Sequence, residues 1–136
     1  LRALINFSEK EGLTHINSII EDRNGNFWFA TNHNGLYRFD GTSFANITEK
    51  LIDAGTGAGS ILEDQKGNIW FNIEGRDLYC YNGTDFVKHH IEPGDLSPGT
   101  FQIYEDQLER LWFVGFKGAY RYDEESFVNI TRNGPW

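Results

Sequence analysis

The sequence predicts an all-β fold, a β-propeller of three four-stranded antiparallel blades in one chain. Two observations predict it. Three of the four tryptophans, Trp28, Trp70 and Trp112, follow one another at intervals of 42 residues in a chain of 136, which is enough for one domain. Aromatic residues make up 15% of the chain, with fifteen glycines and only three prolines, a composition that favours short strands joined by tight turns.

Two sequence windows recur in each third of the chain. The first reads SIIEDRNGNFWFAT, SILEDQKGNIWFNI and QIYEDQLERLWFVG over 18–31, 60–73 and 102–115. The second reads GLYRFDGTSF, DLYCYNGTDF and GAYRYDEESF over 35–44, 77–86 and 118–127. The windows predict blades at approximately 9–50, 51–92 and 93–133. Residues 1–8 are expected to form an extra strand, because this part of the chain resembles the last strand of a blade.

Each repeat divides into four short apolar runs separated by turn residues. In the first repeat we expect strands at about 16–21, 26–31, 35–40 and 43–48. The segment from Asp22 to Gly25 predicts a type I turn followed by a left-handed glycine, and Asp40-Gly41 predicts the last hairpin. The second and third strands carry apolar residues on both faces, so neighbours should cover each sheet on both sides, as in a propeller.

The third repeat departs from this turn pattern. Glu109 stands where the second repeat has Gly67, and a glutamate resists positive φ. We therefore expect the first hairpin of the third blade to adopt a different turn, or to carry local strain of ~1 kcal/mol.

The pattern Ile-x-Glu-Asp-x-x-Gly-Asn-(Ile/Phe)-Trp-Phe, followed by Gly-Leu-Tyr-Arg-(Phe/Tyr)-Asp-Gly and a Phe, resembles the two-component regulator propeller repeat. The resemblance extends over nearly the whole chain. It implies a β-propeller of the kind found in the periplasmic sensor regions of bacterial hybrid two-component kinases, which detect extracellular ligands that are often oligosaccharides. It also favours a periplasmic or extracellular location. The propellers of that family need about twice as many repeats to close.

Ring closure follows from the number of blades. Three blades bury two interfaces and leave two apolar sheet faces open, so the sequence predicts a homodimer that closes a six-bladed ring. A trimer with nine blades and a fragment of a longer array are the alternatives.

Charge and composition exclude several other partners. The net charge of −8 disfavours nucleic acid and anionic membrane surfaces, and no apolar run is long enough to insert into a membrane. The single cysteine, Cys80, permits no internal disulfide. We expect no cofactor and no metal, because the calcium-loop spacing that begins at Asp22 lacks the bidentate glutamate and is lost in the third repeat.

Repetition separates structural residues from candidates for function, because a catalytic group is needed once per site. The repeated residues are therefore predicted to be structural: Trp28, Trp70, Trp112, Asp22, Asp64 and Asp106. His89 and His90 are interpreted as surface residues, and Cys80 as a buried or half-exposed thiol.

Loops that differ between blades are the candidate ligand-binding residues, and they join the second and third strands of each repeat: Asn32, His33, Asn34, Glu74, Arg76, Phe116 and Lys117. Their mixed amide, charged and aromatic groups suit an oligosaccharide or another small molecule. The sequence thus predicts a non-catalytic ligand-sensing or interaction module of bacterial signalling type. A lectin-like carbohydrate-binding propeller formed by self-assembly is the alternative, and a propeller hydrolase or lyase is the third hypothesis.

Overall fold

The computed structural model describes residues 13, 15–53, 55–74, 77–89, 100–115 and 118–130, with only the backbone of 100 and 101. These residues form three antiparallel sheets of four strands, each sheet in chain order. The first sheet contains β1 (Ile16–Glu21), β2 (Phe27–Thr31), β3 (Leu36–Phe39) and β4 (Phe44–Asn46). The second contains β5 (Ala58–Glu63), β6 (Ile69–Ile73), β7 (Asp77–Tyr81) and β8 (Phe86–His89). The third contains β9 (Thr100–Glu105), β10 (Leu111–Gly115), β11 (Gly118–Tyr122) and β12 (Phe127–Asn129).

The predicted all-β fold of three four-stranded antiparallel blades is confirmed. In the first blade the observed strands fall inside the four predicted ranges, β1 over the full predicted range and β2 to β4 one to three residues shorter. The predicted extra strand at 1–8 lies outside the described residues. No helix among the described segments has the length and apolar character that a membrane crossing requires.

Two seams hold the blades together. At the first seam, Trp28 and Leu36 of the first blade pack against Ile61, Ile69 and Phe71 of the second. The second seam repeats the arrangement with the corresponding residues one blade further along: Trp70 and Leu78 against Ile103, Leu111 and Phe113. Because the side chains of a strand alternate between its faces, β6 in the second blade contributes to both seams. In β6 all five residues are accordingly buried.

Each blade folds its first turn around an aspartate. Oδ1 of Asp22 accepts hydrogen bonds from the backbone amides of Asn24 and Asn26, both at 2.9 Å. Its Oδ2 accepts a 2.8 Å bond from Trp28 Nε1. Burial alone would raise the pKa of Asp22, but these hydrogen bonds to the ionised form hold it below its usual value. The carboxylate therefore ties the turn to the tryptophan of the next strand.

The third blade keeps the turn of the second, so the expectation of a different turn is wrong, whereas the alternative, local strain at Glu109, stays a prediction. Glu109 has a φ of 62° and its amide donates to the Asp106 carbonyl at 3.0 Å, as the amide of Gly67 does to Asp64. Asp106 holds the turn in the same way, through the amides of Leu108 and Arg110, each at 2.9 Å. These bonds keep the left-handed conformation although a glutamate occupies it, so the cost is confined to one residue.

Candidate functional site

The predicted ligand-binding loops lie where β2 joins β3 and where β6 joins β7. Asn32, His33 and Asn34 are exposed, and the ring of His33 lies edge-on to that of His15 with centroids 5.7 Å apart. The Asn34 amide donates to Thr31 Oγ1 at 2.9 Å, which fixes the start of this loop. Arg76, Phe116 and Lys117 lie outside the described residues.

Glu74 is occupied in joining the second blade to the segment that leads into it. Its carboxylate accepts the Gly57 amide at 2.7 Å, and its own amide donates to the Gly57 carbonyl at 3.0 Å. A Cβ on Gly57 would overlap the Asn32 carbonyl oxygen, so glycine permits this close approach. Asn32 and Glu74 thus line one shallow pocket of about 250 Å³ at the first seam, together with Asn72.

A larger groove, of about 610 Å³, lies at the other end of the sheets, along the second seam. We call it the Trp70 groove. Its aromatic wall consists of Trp70, His89 and Tyr122. The ring of Trp70 lies 4.9 Å from that of His89 and 5.7 Å from that of Tyr122, between centroids. The three rings therefore form one cluster drawn from two blades.

Cys80 lines this groove at a position where the other two blades have arginine. In the first and third blades the corresponding residues are Arg38 and Arg121, whose guanidinium groups lie 5.6 and 5.9 Å from the centroids of Trp28 and Trp112. In the second blade the shorter side chain of Cys80 lines the groove. Trp70 itself is only 4% exposed, because the rings of His89 and Tyr122 pack on it. An arginine at this position would take up part of the groove that the short thiol leaves free.

Burial keeps the wall of the groove uncharged. It raises the pKa of the Cys80 thiol to about 11, with the nearby Asp64 charge adding to the effect. It lowers the pKa of His89, which favours the neutral imidazole. The interpretation of His89 as a surface residue is wrong, since β8 extends to this residue and turns its ring onto Trp70. His90 lies outside the described residues.

Charged groups surround the groove at its rim. Lys66 Nζ donates to Glu124 Oε1 at 2.8 Å, and this exposed ion pair joins the second blade to the third. Glu105 Oε2 accepts the Gln65 amide at 3.2 Å. Carboxylates such as these have several lone pairs and can accept further hydrogen bonds. The groove therefore combines an aromatic wall with hydrogen-bonding groups above it.

Sequence reasoning missed two features of this site. It treated the aspartates and tryptophans separately, although Asp64 Oδ2 accepts from Trp70 Nε1 at 2.9 Å and Asp106 Oδ2 from Trp112 Nε1 at 2.8 Å. The constant spacing of six residues was the available signal. It also missed the Trp70 groove, whose signal was a cysteine in a column of arginines. Within the described ranges, no three His, Cys, Asp or Glu side chains are arranged to hold a metal ion.

Comparison with known proteins agrees with this architecture. Residues 11–33 match the family model described as two component regulator propeller, which confirms the resemblance drawn from the repeats. No curated protein sequence matches the chain.

The chain also resembles several solved structures. A catalytically inactive virginiamycin B lyase from Staphylococcus aureus with quinupristin is 19% identical with a TM-score of 0.64, over 80% of this chain and 38% of the lyase. The extracellular domain of a hybrid two component system from B. thetaiotaomicron is 22% identical with a TM-score of 0.60, over 78% of this chain and 15% of that one. A fucose lectin from Kordia zhangzhouensis in complex with methyl-fucoside is 13% identical with a TM-score of 0.47, over 81% of this chain and 94% of the lectin. This chain thus spans well under half of the first two proteins, and the likeness concerns the fold.

Proposed function

We propose that this chain is a non-catalytic ligand-binding module of a bacterial signalling propeller, and that it takes a neutral, polyhydroxylated ligand in the Trp70 groove. The observation that carries the proposal is the groove of about 610 Å³ at the second seam, where the half-buried rings of His89 and Tyr122 lie 5.5 Å apart between centroids. The match of residues 11–33 to the regulator propeller family supports the signalling role.

The chemistry of the groove favours a sugar-like ligand. The C–H face of a sugar ring packs well on an aromatic ring, and its hydroxyl groups need acceptors at the edge of such a site. Here the half-buried rings of His89 and Tyr122 supply the aromatic surface, because Trp70 behind them is only 4% exposed. Glu105 and Glu124 supply carboxylate acceptors. The uncharged wall, with its neutral imidazole and protonated thiol, suits a ligand without charge.

The same groups argue against catalysis in this groove. A thiol with a pKa of about 11 is almost entirely protonated at neutral pH and is a weak nucleophile. We therefore assign Cys80 to the shape of the groove rather than to a reaction. A multivalent lectin would repeat its site at every seam, but Arg38 lies over Trp28 at the first one, so one asymmetric site is the better proposal.

Calorimetric titration with a panel of neutral oligosaccharides tests this proposal. Cys80→Arg introduces the residue type of the other two blades and should weaken binding at least about tenfold, because the longer side chain occupies part of the groove that Cys80 lines. Cys80→Ala keeps the groove open and should bind as the parent does. The melting temperature of both variants shows whether the blades remain folded.

The substitution His33→Ala is the matched control at the opposite end of the sheets. It should leave binding unchanged. If instead His33→Ala abolishes binding and Cys80→Arg binds like the parent, the ligand occupies the loops and the groove assignment is wrong. Turnover of any bound oligosaccharide by the parent chain would contradict the non-catalytic role.

A further inference from the structure

The first blade has an open apolar face. Ile19, Ile61 and Ile103 occupy the same position in the three repeats, on the sheet face that looks toward the preceding blade. Ile61 and Ile103 are 7% and 6% exposed, whereas Ile19 is 56% exposed. The side chain is the same in each case, so the difference comes from the neighbour that only Ile19 lacks among the described residues.

The third blade has the complementary open face. Trp112 holds the position of Trp28 and Trp70, which are buried in the two seams, but it is only partly buried. Beside it, Tyr104 is 54% exposed. These residues and Val114 line a hollow of about 440 Å³ on the sheet face. This face of the third blade therefore corresponds to the faces that Trp28 and Trp70 contribute to the two formed seams.

A hydrogen bond from a backbone amide of one blade to a glutamate of the next, here called the clasp, accompanies each complete seam. The Glu63 carboxylate accepts the backbone amide of Arg23 in the preceding blade at 3.0 Å. One seam further on, Glu105 accepts the amide of Gln65 at 3.2 Å. The same repeat positions leave one acceptor, Glu21, and one donor, the amide of Gln107. Both residues are exposed, at the two open faces.

We infer that a second copy of this chain covers both open faces, with the Glu21 carboxylate of one protomer accepting a hydrogen bond from the backbone amide of Gln107 of the partner subunit. Each contact of the new seam then has a counterpart in the two seams already formed. A two-fold axis creates two such seams at once, so both faces of both protomers are buried and the ring has six blades. Three copies would give nine blades, more than propellers usually contain.

Light scattering on the full chain at micromolar concentration tests the stoichiometry. The expected mass is twice 15.6 kDa. Ile19→Asp should give the mass of one protomer, because it places a charge inside the new seam. Tyr104→Asp should do the same from the other face. Val87→Glu is the matched control: Val87 is 51% exposed but lies on the outer strand of the middle blade, so this variant should keep the parent mass.

Mixing the two dissociated variants provides the decisive measurement. In a mixed pair, one seam contains both substitutions and the other contains none, so Ile19→Asp and Tyr104→Asp together should recover dimer that neither forms alone. The clasp is tested by Glu21→Ala, which should raise the dissociation constant ~100-fold, since a hydrogen bond to a charged group, worth ~10-fold, is lost at each of the two seams. Glu49→Ala, at an exposed site in the turn after β4, should not raise it.

Several outcomes would overturn the inference. A parent mass of one or of three protomers excludes the two-fold ring. Loss of dimer in only one of the two aspartate variants indicates pairing of like faces, for which mixing recovers nothing. A dissociation constant unchanged by Glu21→Ala removes the clasp.

Discussion

Trp70 in the second blade and Trp112 in the third hold the same register position and donate to equivalent carboxylates, yet Trp70 is 4% exposed and Trp112 is only partly buried. The sheet around each has the same order and antiparallel pairing. The backbone of a blade is thus set by bonds inside its own repeat, whereas the burial of its tryptophan depends on the next blade.

The first turns of these two blades support the same distinction. Gly67 and Glu109 both adopt a positive φ, at 86° and 62°. Asp106 in the third blade has an additional partner, since Arg110 Nε lies 2.7 Å from its Oδ2. The turn therefore persists without its glycine. A repeat can lose one of its signature residues when the remaining bonds still specify the same conformation.

Of the substitutions that test this comparison, removal of the buried Trp70 should change the free energy of unfolding most. Trp70→Ala should lower the free energy of unfolding by roughly 3–5 kcal/mol, because it empties the second seam and leaves Asp64 without its indole donor. That is a large part of the stability of a domain of this size. Urea denaturation, followed by circular dichroism, measures the loss.

Trp112→Ala is the matched substitution, and it should cost less, roughly 1–3 kcal/mol, because no blade packs on the outer side of this ring among the described residues. Both variants should be made in the Ile19→Asp background, so that assembly does not enter the comparison. Equal losses for the two tryptophans would mean that neighbouring blades contribute little to their stabilising effect.

The repeats made the fold predictable, because strand order, turn positions and the sheet faces follow from residues that recur in every copy. The prediction of a different turn at Glu109 is wrong, because it considers only the resistance of glutamate to positive φ. It leaves out the hydrogen bonds that Asp106 accepts from the turn amides. The loop residues of the candidate site could be named, but not the part that Glu74 plays in anchoring Gly57. Nothing in the sequence connects Cys80 with a groove, because its effect on the shape of the surface depends on where the side chains of Arg38 and Arg121 lie in the other blades.

The next largest effect should be the loss of stability in acid, where the turn aspartates become protonated. Burial would raise the pKa of Asp106, but hydrogen bonds from Trp112 and from Arg110 outweigh it and hold the pKa well below the ordinary value of 3.8. Asp22 is shifted in the same direction. A carboxyl with a lowered pKa in the folded state stabilises the fold above its unfolded pKa, and that contribution is lost as the pH falls toward the folded value.

We therefore expect the melting temperature of the parent to fall steadily below about pH 4. Asp106→Asn should melt lower at pH 7, because the hydrogen bonds that hold the turn are weakened. Its melting temperature should change less between pH 4 and pH 2 than that of the parent. Asp85→Asn, at an exposed position before β8, should follow the parent curve. A curve for Asp106→Asn parallel to that of the parent would show that Asp106 does not contribute to acid unfolding.

Placing a glycine in the first turn of the third blade should have the smallest effect on stability. Glu109→Gly relieves a left-handed glutamate, and we expect a gain of about 0.5–1 kcal/mol in the free energy of unfolding, partly offset by the greater freedom of glycine in the unfolded chain. The reverse test is Gly25→Ala, where φ is 82° and a Cβ would meet no atom within 4 Å, so the change reports backbone strain alone. It should cost about 1 kcal/mol. If Gly25→Ala is destabilising while Glu109→Gly gains nothing, the bonds to Asp106 remove the strain in the third blade rather than merely overcome it.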